Sequence, residues 1–458
     1  MIPTIEIPGG TLDALMFYVA VLGVLLLLGT YLRAKIVLLR KLFVPAALVA
    51  GTIGFGLGPY GFDVFHREMV AAWSALPGRL ITIVFAPMLM GVVIPNPREV
   101  INLFGPQAMF TLGGSMLQIS VPFILTAILF TPYWGVNPLF GAIIELGFCG
   151  GHGTAGGMMD VFADLGWSDG ATLALMTATA GLFLGIFSGM TIINYGVRKG
   201  YTSVVHATEE LKSDEDDLIA AEKPSPGAMA TTNKSIIESF AFHASLIGIA
   251  VLIGWFLQRI LSIWIRGMPL FPLAMIGGLV VQLVIVRTPW AVLIDRRTFQ
   301  GIQGVALEFL IVAAIASIRA PVVLAYAAPL TIIVAVTTAL MVLYFFWAGK
   351  RVFHDYWFEN AIVAYGSLTG MAAVGLMLLR TVDPEMKTNA GVAYALRGPF
   401  VSPIVGGGIL SASLPIIIFN YGPLSVGLFF LGAFAAVIVL CKAVGWWHKP
   451  GGHPPTSS

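Results

Sequence analysis

Twelve residues, Leu146-Gly-Phe-Cys-Gly-Gly-His-Gly-Thr-Ala-Gly-Gly157, set six glycines around one histidine. A regular helix holds such a run poorly, since glycine costs about 0.5–1 kcal/mol relative to alanine in a helix interior. If the run lies in an apolar stretch, the break frees backbone groups that must line a cavity or pack against protein. N–H groups at a helix start then attract anions, and unwound carbonyls coordinate sodium. Gly150, Gly151, His152, Gly153 and Thr154 are therefore candidate ligands for a small anion, with Gly151 and Thr154 also candidates for sodium. The competing explanation is close helix packing by small residues, which asks for helical spacing rather than a central Gly-Gly-His-Gly cluster. A second broken run, Tyr365-Gly-Ser-Leu-Thr-Gly-Met-Ala-Ala-Val-Gly375, offers Ser367, Thr369 and Gly370 to the anion, and the hydroxyls of Ser367 and Thr369 to sodium. Hydroxyls in apolar helices more commonly bond back to their own backbone.

Single charged residues add to this set. Arg397, in Tyr394-Ala-Leu-Arg-Gly-Pro-Phe400, falls well inside an apolar span. A central arginine costs at least about 2.5–3.5 kcal/mol on insertion scales, so it should face a cavity or a partner. Its planar fork suits a substrate carboxylate; the alternatives are an ion pair with Glu308 or Glu145, or a span boundary that leaves it at the interface. His152 can donate to a carboxylate, carry a coupled proton, or tie down the backbone around it. Asp160 is expected in solvent, while Glu145 and Glu308 lie in apolar runs and need partners or protons.

These residues sit in a chain of 458 residues that is 58% hydrophobic and 10% charged, against about 45–50% and about 25% in soluble domains. Such a chain belongs in a bilayer. A net charge of +2 leaves no basic face for nucleic acid, and Cys149 and Cys441 form no disulfide framework. The first apolar run, Leu12 to Leu32, reads as a retained span rather than a cleavable signal. Spans of membrane length follow at 43–61, 80–95, 106–130 and 171–197, then at 240–261, 268–286, 305–318, 322–348, 390–419 and 425–444. The glycine-broken runs fall at 139–165 and 362–379. Between the halves lies a polar stretch with the acidic run Glu209 to Asp217 and the turn-rich Lys223-Pro-Ser-Pro-Gly, a solvated linker.

The halves resemble one another: Leu42-Phe43-Val44-Pro45 opens the second span of one, Leu270-Phe271-Pro272-Leu273 that of the other. Paired broken segments in two halves point to a transporter's binding site. If both broken runs dip in and return, 19 of the 25 Lys and Arg collect on one side, 5 on the other, and Arg397 stays within a span; full crossing splits them 12 to 12. Positive charge concentrates on the cytoplasmic side, so re-entrance is expected. Each half then crosses five times, and the halves have opposite orientations. The expected fold is all-α and polytopic: an N-terminal membrane repeat 1–197 with hairpin 139–165, a cytoplasmic linker 198–238, a C-terminal repeat 239–424 with hairpin 362–379, an extra transmembrane helix 425–447 and a cytoplasmic tail 448–458. The N-terminus is expected outside. Trp73, Trp134, Trp167, Trp290, Trp347, Trp357, Trp446 and Trp447 are expected in an interfacial belt.

At Gly150-Gly-His-Gly-Thr154 the chain resembles the glutamate:sodium symporter family. Leu27-Leu28-Gly29 with its basic loop and Pro45, the broken run, residues 171–197, the linker and Gly304 to Arg319 extend the resemblance over most of residues 12–420. It implies a homodimeric secondary transporter of the cell inner membrane with inverted repeats, a mobile core carrying the hairpins, and sodium-driven uptake of L-glutamate. Na+ is then the coupling ion, with no organic cofactor, and the partners are the anionic amino acid and membrane lipid. The chain departs from the family where Gly406-Gly407-Gly408 replaces an expected acidic residue, where the second hairpin lacks an Ala-Thr-Pro run, and in the added span. Other readings are uptake of another small carboxylate coupled to sodium or protons, a channel, or an intramembrane enzyme using His152 with Glu145 or Asp160. No His-x-x-x-His or Gly-x-Ser-x-Gly spacing supports the enzyme.

Overall fold

In hydrocarbon a backbone must satisfy its own N–H and C=O groups, and these apolar stretches do so as helices. The structure, a computed structural model, describes residues 9–41, 44–92, 97–204, 228, 231–232, 235–263 and 267–448. The acidic run Glu209 to Asp217, Lys223 to Gly227, Leu42, Phe43, Pro95, Arg266 and the tail from Lys449 lie outside the described residues.

No strand occurs among the described residues. In chain order the main helices are α1 (Gly9–Lys35), α2 (Ala46–Leu57), α3 (Arg67–Phe85), α4 (Pro97–Leu125, continued to Trp134), α5 (Ala142–Phe148), α6 (Gly151–Gly157), α7 (Gly170–Lys199), α8 (Ser239–Leu261), α9 (Leu270–Ile285), α10 (Arg296–Ala316), α11 (Ala327–Val352), α12 (Trp357–Val382), α13 (Ala390–Val401), α14 (Ile409–Tyr421) and α15 (Pro423–Val444). Among the described residues nine helices are long and apolar enough to cross a membrane: α1, α3, α4, α7, α8, α10, α11, α12 and α15. The protein is thus an integral membrane protein.

Four sequence expectations need correction. The span expected at 80–95 is α3, which begins at Arg67 and ends at Phe85, and the span expected at 305–318 is α10, which begins at Arg296. Both helices are amphipathic, so their charged first turns hid them from a search for apolar runs. The run 390–419 is two helices, because Gly406 (φ +71°) and Gly407 (φ +97°) adopt backbone that interrupts a helix. Trp73 lies in the core instead of an interfacial belt, 0% exposed, with its indole N–H donated to Tyr18 O at 3.0 Å.

The helices gather into two bodies. In one, α1 packs on α2, α2 and α3 on α10, and α8 on α9, through close glycine contacts such as Gly29 with Ala50, Gly51 with Ile315 and Gly254 with Ala274. The other is built around α7, whose Gly181, Gly185, Gly189 and Gly196 share one face. Gly181 and Gly185 abut Thr369, Gly189 abuts Leu378 and Gly196 abuts Phe358, all of α12. Gly147 of α5 meets Ala174, Thr177 and Ala178 further back along α7. On the far side, Gln107 and Gln118 of α4 donate to Asn360 O (3.2 Å) and Leu368 O (2.6 Å), gripping α12 by its backbone. The added helix α15 covers α4, with Gly427 against Ile124.

A side chain on the glycine face of α7 must therefore collide with α12. At Gly185 a Cβ would lie 2.8 Å from Thr369 Oγ1 and 3.3 Å from Gly370 N, so Gly185→Val should destabilise by about 1–3 kcal/mol. Gly248 of α8 has nothing within 4 Å, and Gly248→Ala should stabilise by about 0.5–1 kcal/mol. Thermal unfolding of the detergent-purified variants measures both.

Candidate functional site

Two backbone breaks meet beside the middle of α7. The first falls at Cys149 and Gly150, between α5 and α6, and Gly151 restarts the helix from φ +71°. The second interrupts α12 at Gly370 (φ −139°, ψ 33°) and Met371 (φ 71°, ψ 172°). A methionine in left-handed backbone is costly unless its surroundings enforce it. Past the break the chain returns along itself, so that a Cβ on Gly366 would run into the backbone of Gly375. A Cβ on Gly151 would run into the Met371 side chain, so the breaks touch.

Each candidate residue of the first break has a definite environment. Gly150 N donates to Glu145 O at 3.0 Å. His152 is buried, and its Nε2 lies 3.0 Å from Thr179 Oγ1 on α7. The Thr179 hydroxyl proton is directed at Leu175 O, 3.1 Å away, which makes Oγ1 the acceptor and His152 Nε2–H the donor. That bond fastens the break to α7 and leaves Nδ1 buried without a partner. Gly153 packs on Ile81 and Leu307, so α6 faces α3 and α10. The Thr154 hydroxyl is fully buried and unpartnered.

The hydroxyls of the second break are already engaged. Ser367 donates to Val363 O (3.1 Å) and shares a 2.5 Å hydrogen bond with Tyr394 OH; Thr369 donates to Tyr365 O at 2.9 Å. Gly370 backs onto Gly181.

Arg397 on α13 is 6% exposed, with its guanidinium 4.3 Å from the centre of the Tyr394 ring and its Nε unpartnered. Neither expected ion pair forms. Glu145 bonds instead to Gly406 N (3.1 Å) and Ser411 Oγ (2.6 Å); Glu308 is exposed on α10 and feels the charge of Arg33. Tyr394 thus joins two candidate residues, holding Ser367 with its phenol and Arg397 with its ring.

Sequence reading missed Tyr394, Ser411, Thr179, Gln107 and Gln118. The two glutamines had a signal: polar amides eleven residues apart lie on one helix face, and a buried amide needs partners. Ser411 had none, and neither had the bond of Tyr394 to Ser367, since both act across separate elements; only the contact of Tyr394 with Arg397, three residues apart on one helix, follows from periodicity.

A cavity of about 560 Å³ opens between the two bodies, lined by Arg79, Thr82, Gly157, Asp160, Arg259 and Phe271 among others. Asp160 is exposed there and pairs with Arg79 at 3.1 Å. Phe271 stacks edge-on against Phe85, ring centres 5.1 Å apart, and a Cβ on Gly407 would touch both Phe85 and Thr154. The cavity and the breaks are therefore separated by an aromatic pair. The arrangement offers a buried guanidinium, backbone breaks and unpartnered acceptors, which suit binding of an anion with a hard cation. Among the described residues no group of three His, Cys, Asp or Glu is placed to hold a metal.

The family model described as sodium/glutamate symporter matches residues 11–373. Its match ends just after the second break, so Arg397 and the glycine turn lie beyond it. No curated protein matches the chain.

The double role of Tyr394 is separable. Tyr394→Phe removes only the hydrogen bond to Ser367 and should cost about 0.5–1.5 kcal/mol of stability. Tyr394→Leu also removes the ring beneath Arg397 and should cost about 0.5–2 kcal/mol more. Thermal unfolding of the two variants in detergent checks the order; equal losses would remove the cation–π contact from the account.

Proposed function

Because the chain belongs to the sodium/glutamate symporter family, we propose that it takes up L-glutamate with Na+ as the coupling ion, by alternating access of elevator type. The observation that carries this reading is the meeting of the two breaks, Gly151 against Met371, beside a buried Arg397. Paired broken segments at one depth are how transporters expose backbone to an anion and its cation.

In this reading the segments 139–165 and 362–379 are re-entrant hairpins of two inverted repeats, 1–197 and 239–424, joined by the linker 198–238. The contacts of α7 support it. Toward its Gly170 end it touches the first segment, toward its Lys199 end the start of the second, and both breaks lie near Gly181. The 19 to 5 division of positive charge supports a cytoplasmic linker and C-terminus, with the N-terminus outside and the chain in the cell inner membrane. The body around α7 is the moving part, and the body of α1 to α3 and α8 to α10 is the static frame, its lipid-facing helices carrying the contact of a homodimer. Small residues of α6 support sliding between them, since Gly153, Gly156 and Gly157 face Ile81, Pro77 and Ala314. The cavity beside Arg79 and Arg259 is the approach from outside.

Glutamate carboxylate is assigned to Arg397, with Gly151, Gly153, Thr154 and Gly370 contributing backbone or hydroxyl donors, while the N–H of Gly150 is already given to Glu145 O. His152, Ser367 and Thr369 shape the breaks, with His152 Nε2 engaged by Thr179 and the two hydroxyls by Tyr394 and Tyr365, while His152 Nδ1 stays unpartnered.

Radiolabelled glutamate uptake into proteoliposomes should require a sodium gradient. Uptake that persists without sodium and follows an imposed pH gradient would overturn the assignment. At saturating sodium, Arg397→Lys loses the fork and should weaken glutamate binding by about 10- to 150-fold, the worth of a charged hydrogen bond of about 1.5–3 kcal/mol. Folded Arg397→Ala with normal affinity would remove this residue from the site.

The sliding motion has its own test. A Cβ on Gly157 would lie 3.3 Å from Ile81 Cβ, close to the separation of a disulfide, about 3.5–4.5 Å. With Cys149 and Cys441 replaced by alanine, the pair Ile81→Cys and Gly157→Cys should cross-link on oxidation. Uptake should then stop and return on reduction; full uptake by the cross-linked protein would exclude relative motion of the two bodies.

A further inference from the structure

Glu145 is a carboxylate with no counter-charge. It lies in α5 between Ile144 and Leu146, both 0% exposed, and is itself 1% exposed. One oxygen accepts hydrogen bonds from Gly406 N and Ser411 Oγ; the other, Oε2, is buried and unpartnered. Among the described residues no Lys, Arg or His lies within ion-pair distance of it. Two neutral donors do not neutralise a full charge, and a buried carboxylate far from water is costly until an opposite charge arrives.

Other bare acceptors converge on the same place. Thr154 Oγ1 is 0% exposed, unpartnered, and so near Gly407 that a Cβ there would strike it. Gly406 and Gly407 hold left-handed backbone, and the carbonyls of Val405, Gly406 and Gly407 accept no hydrogen bond among the described residues. Ser411 Oγ accepts from Gly407 N at 3.1 Å while donating to Glu145, which pins the turn to α5. A buried carboxylate oxygen without a partner, a bare hydroxyl and unwound carbonyls are the donor set of a hard cation.

We propose that Glu145, Thr154 and the turn 405–407 form a sodium seat in which Glu145 is the charged ligand. The seat rests on the sodium-coupled reading above and names its ion site, which lies apart from Ser367 and Thr369. It joins the first break to the turn between α13 and α14, so the ion would hold together two segments brought from opposite halves of the chain.

The test is equilibrium binding of ²²Na+ to purified protein without substrate. Glu145→Gln, neutral and nearly isosteric, should raise the half-saturating sodium concentration by about 10-fold or more, the worth of one charged interaction. Thr154→Val should weaken binding, and Thr154→Ser should restore it. Glu308→Gln, on an exposed position, should leave it unchanged. Wild-type binding in folded Glu145→Gln overturns the seat, and so does a wild-type protein that binds no ²²Na+. If Glu145→Gln fails to fold, equal affinities in Thr154→Val and Thr154→Ser overturn it instead. Uptake that needs Glu145 but follows a proton gradient without sodium also overturns it, in favour of a titrating carboxylate. Glu145-dependent ²²Na+ binding by a protein that moves no glutamate would refute the proposed substrate and leave the seat standing.

Discussion

The centre of this protein depends on how closely two broken helices can approach α7, and glycine sets that distance. Each missing side chain at Gly181, Gly185, Gly189 and Gly196 lets α12 settle onto the helix backbone, where any Cβ would overlap Thr369, Leu378 or Phe358. Gly147 does the same for α5. With both segments seated on one rod, their breaks are brought to one depth, and Gly151 meets Met371. The conformational cost of glycine in a helix is offset by dispersion contacts over the whole length of the seam.

Many hydroxyls in so apolar a body bond back to their own helix, as Thr111, Thr126 and Thr337 do, and several longer polar side chains pair across elements. Gln107 and Gln118 donate to α12 carbonyls, Tyr344 donates to Phe110 O at 2.7 Å, and His152 Nε2 is engaged by Thr179. Each bond removes a desolvation penalty and fixes the register of one helix against another. Against that background the exceptions stand out. Arg397, Thr154, Glu145 and His152 keep unpartnered atoms in the interior near the breaks, while Gln107, Ser115, Gln118 and Thr131 do so along α4 and its continuation. Function in a membrane protein concentrates where such groups are retained.

The frame differs in character from the centre. Its contacts are tight helix pairs, and a separate apolar cluster of Phe242, Leu246, Ile247, Met90 and Phe299 ties α8 and the end of α3 to the start of α10. Arg296 adds bonds to Pro87 O (2.9 Å) and Met90 O (2.8 Å), stapling the turn after α3. Between frame and centre the glycines of α6 meet Ile81, Pro77, Leu307 and Ala314, and a cavity runs along part of the seam. One apolar cluster nevertheless runs through both, joining Leu25, Ile81 and Leu310 to Phe148, Leu173 and Leu368.

Apolar composition determined a helical membrane protein, since hydrocarbon admits little else, and the Gly-Gly-His-Gly-Thr cluster marked the first break and the family before any coordinates. Ser367, Thr369 and Arg397 were legible as polar residues in apolar runs. Their roles were not. Whether a hydroxyl is free or spent depends on what faces it: Thr154 and Thr369 read alike in sequence, yet one is bare and the other bonds Tyr365 O. Arg397 met Tyr394 on its own helix, a neighbour three residues away that periodicity puts within reach, whereas the partner of Glu145 is Ser411, 266 positions distant. The amphipathic starts of α3 and α10 were lost because an apolar-run search cannot see a helix with one polar face. Hydropathy is a property of segments and survives in the sequence; the meeting of Gly151 with Met371 is a property of packing, and it exists only once α7 has brought both segments to one place.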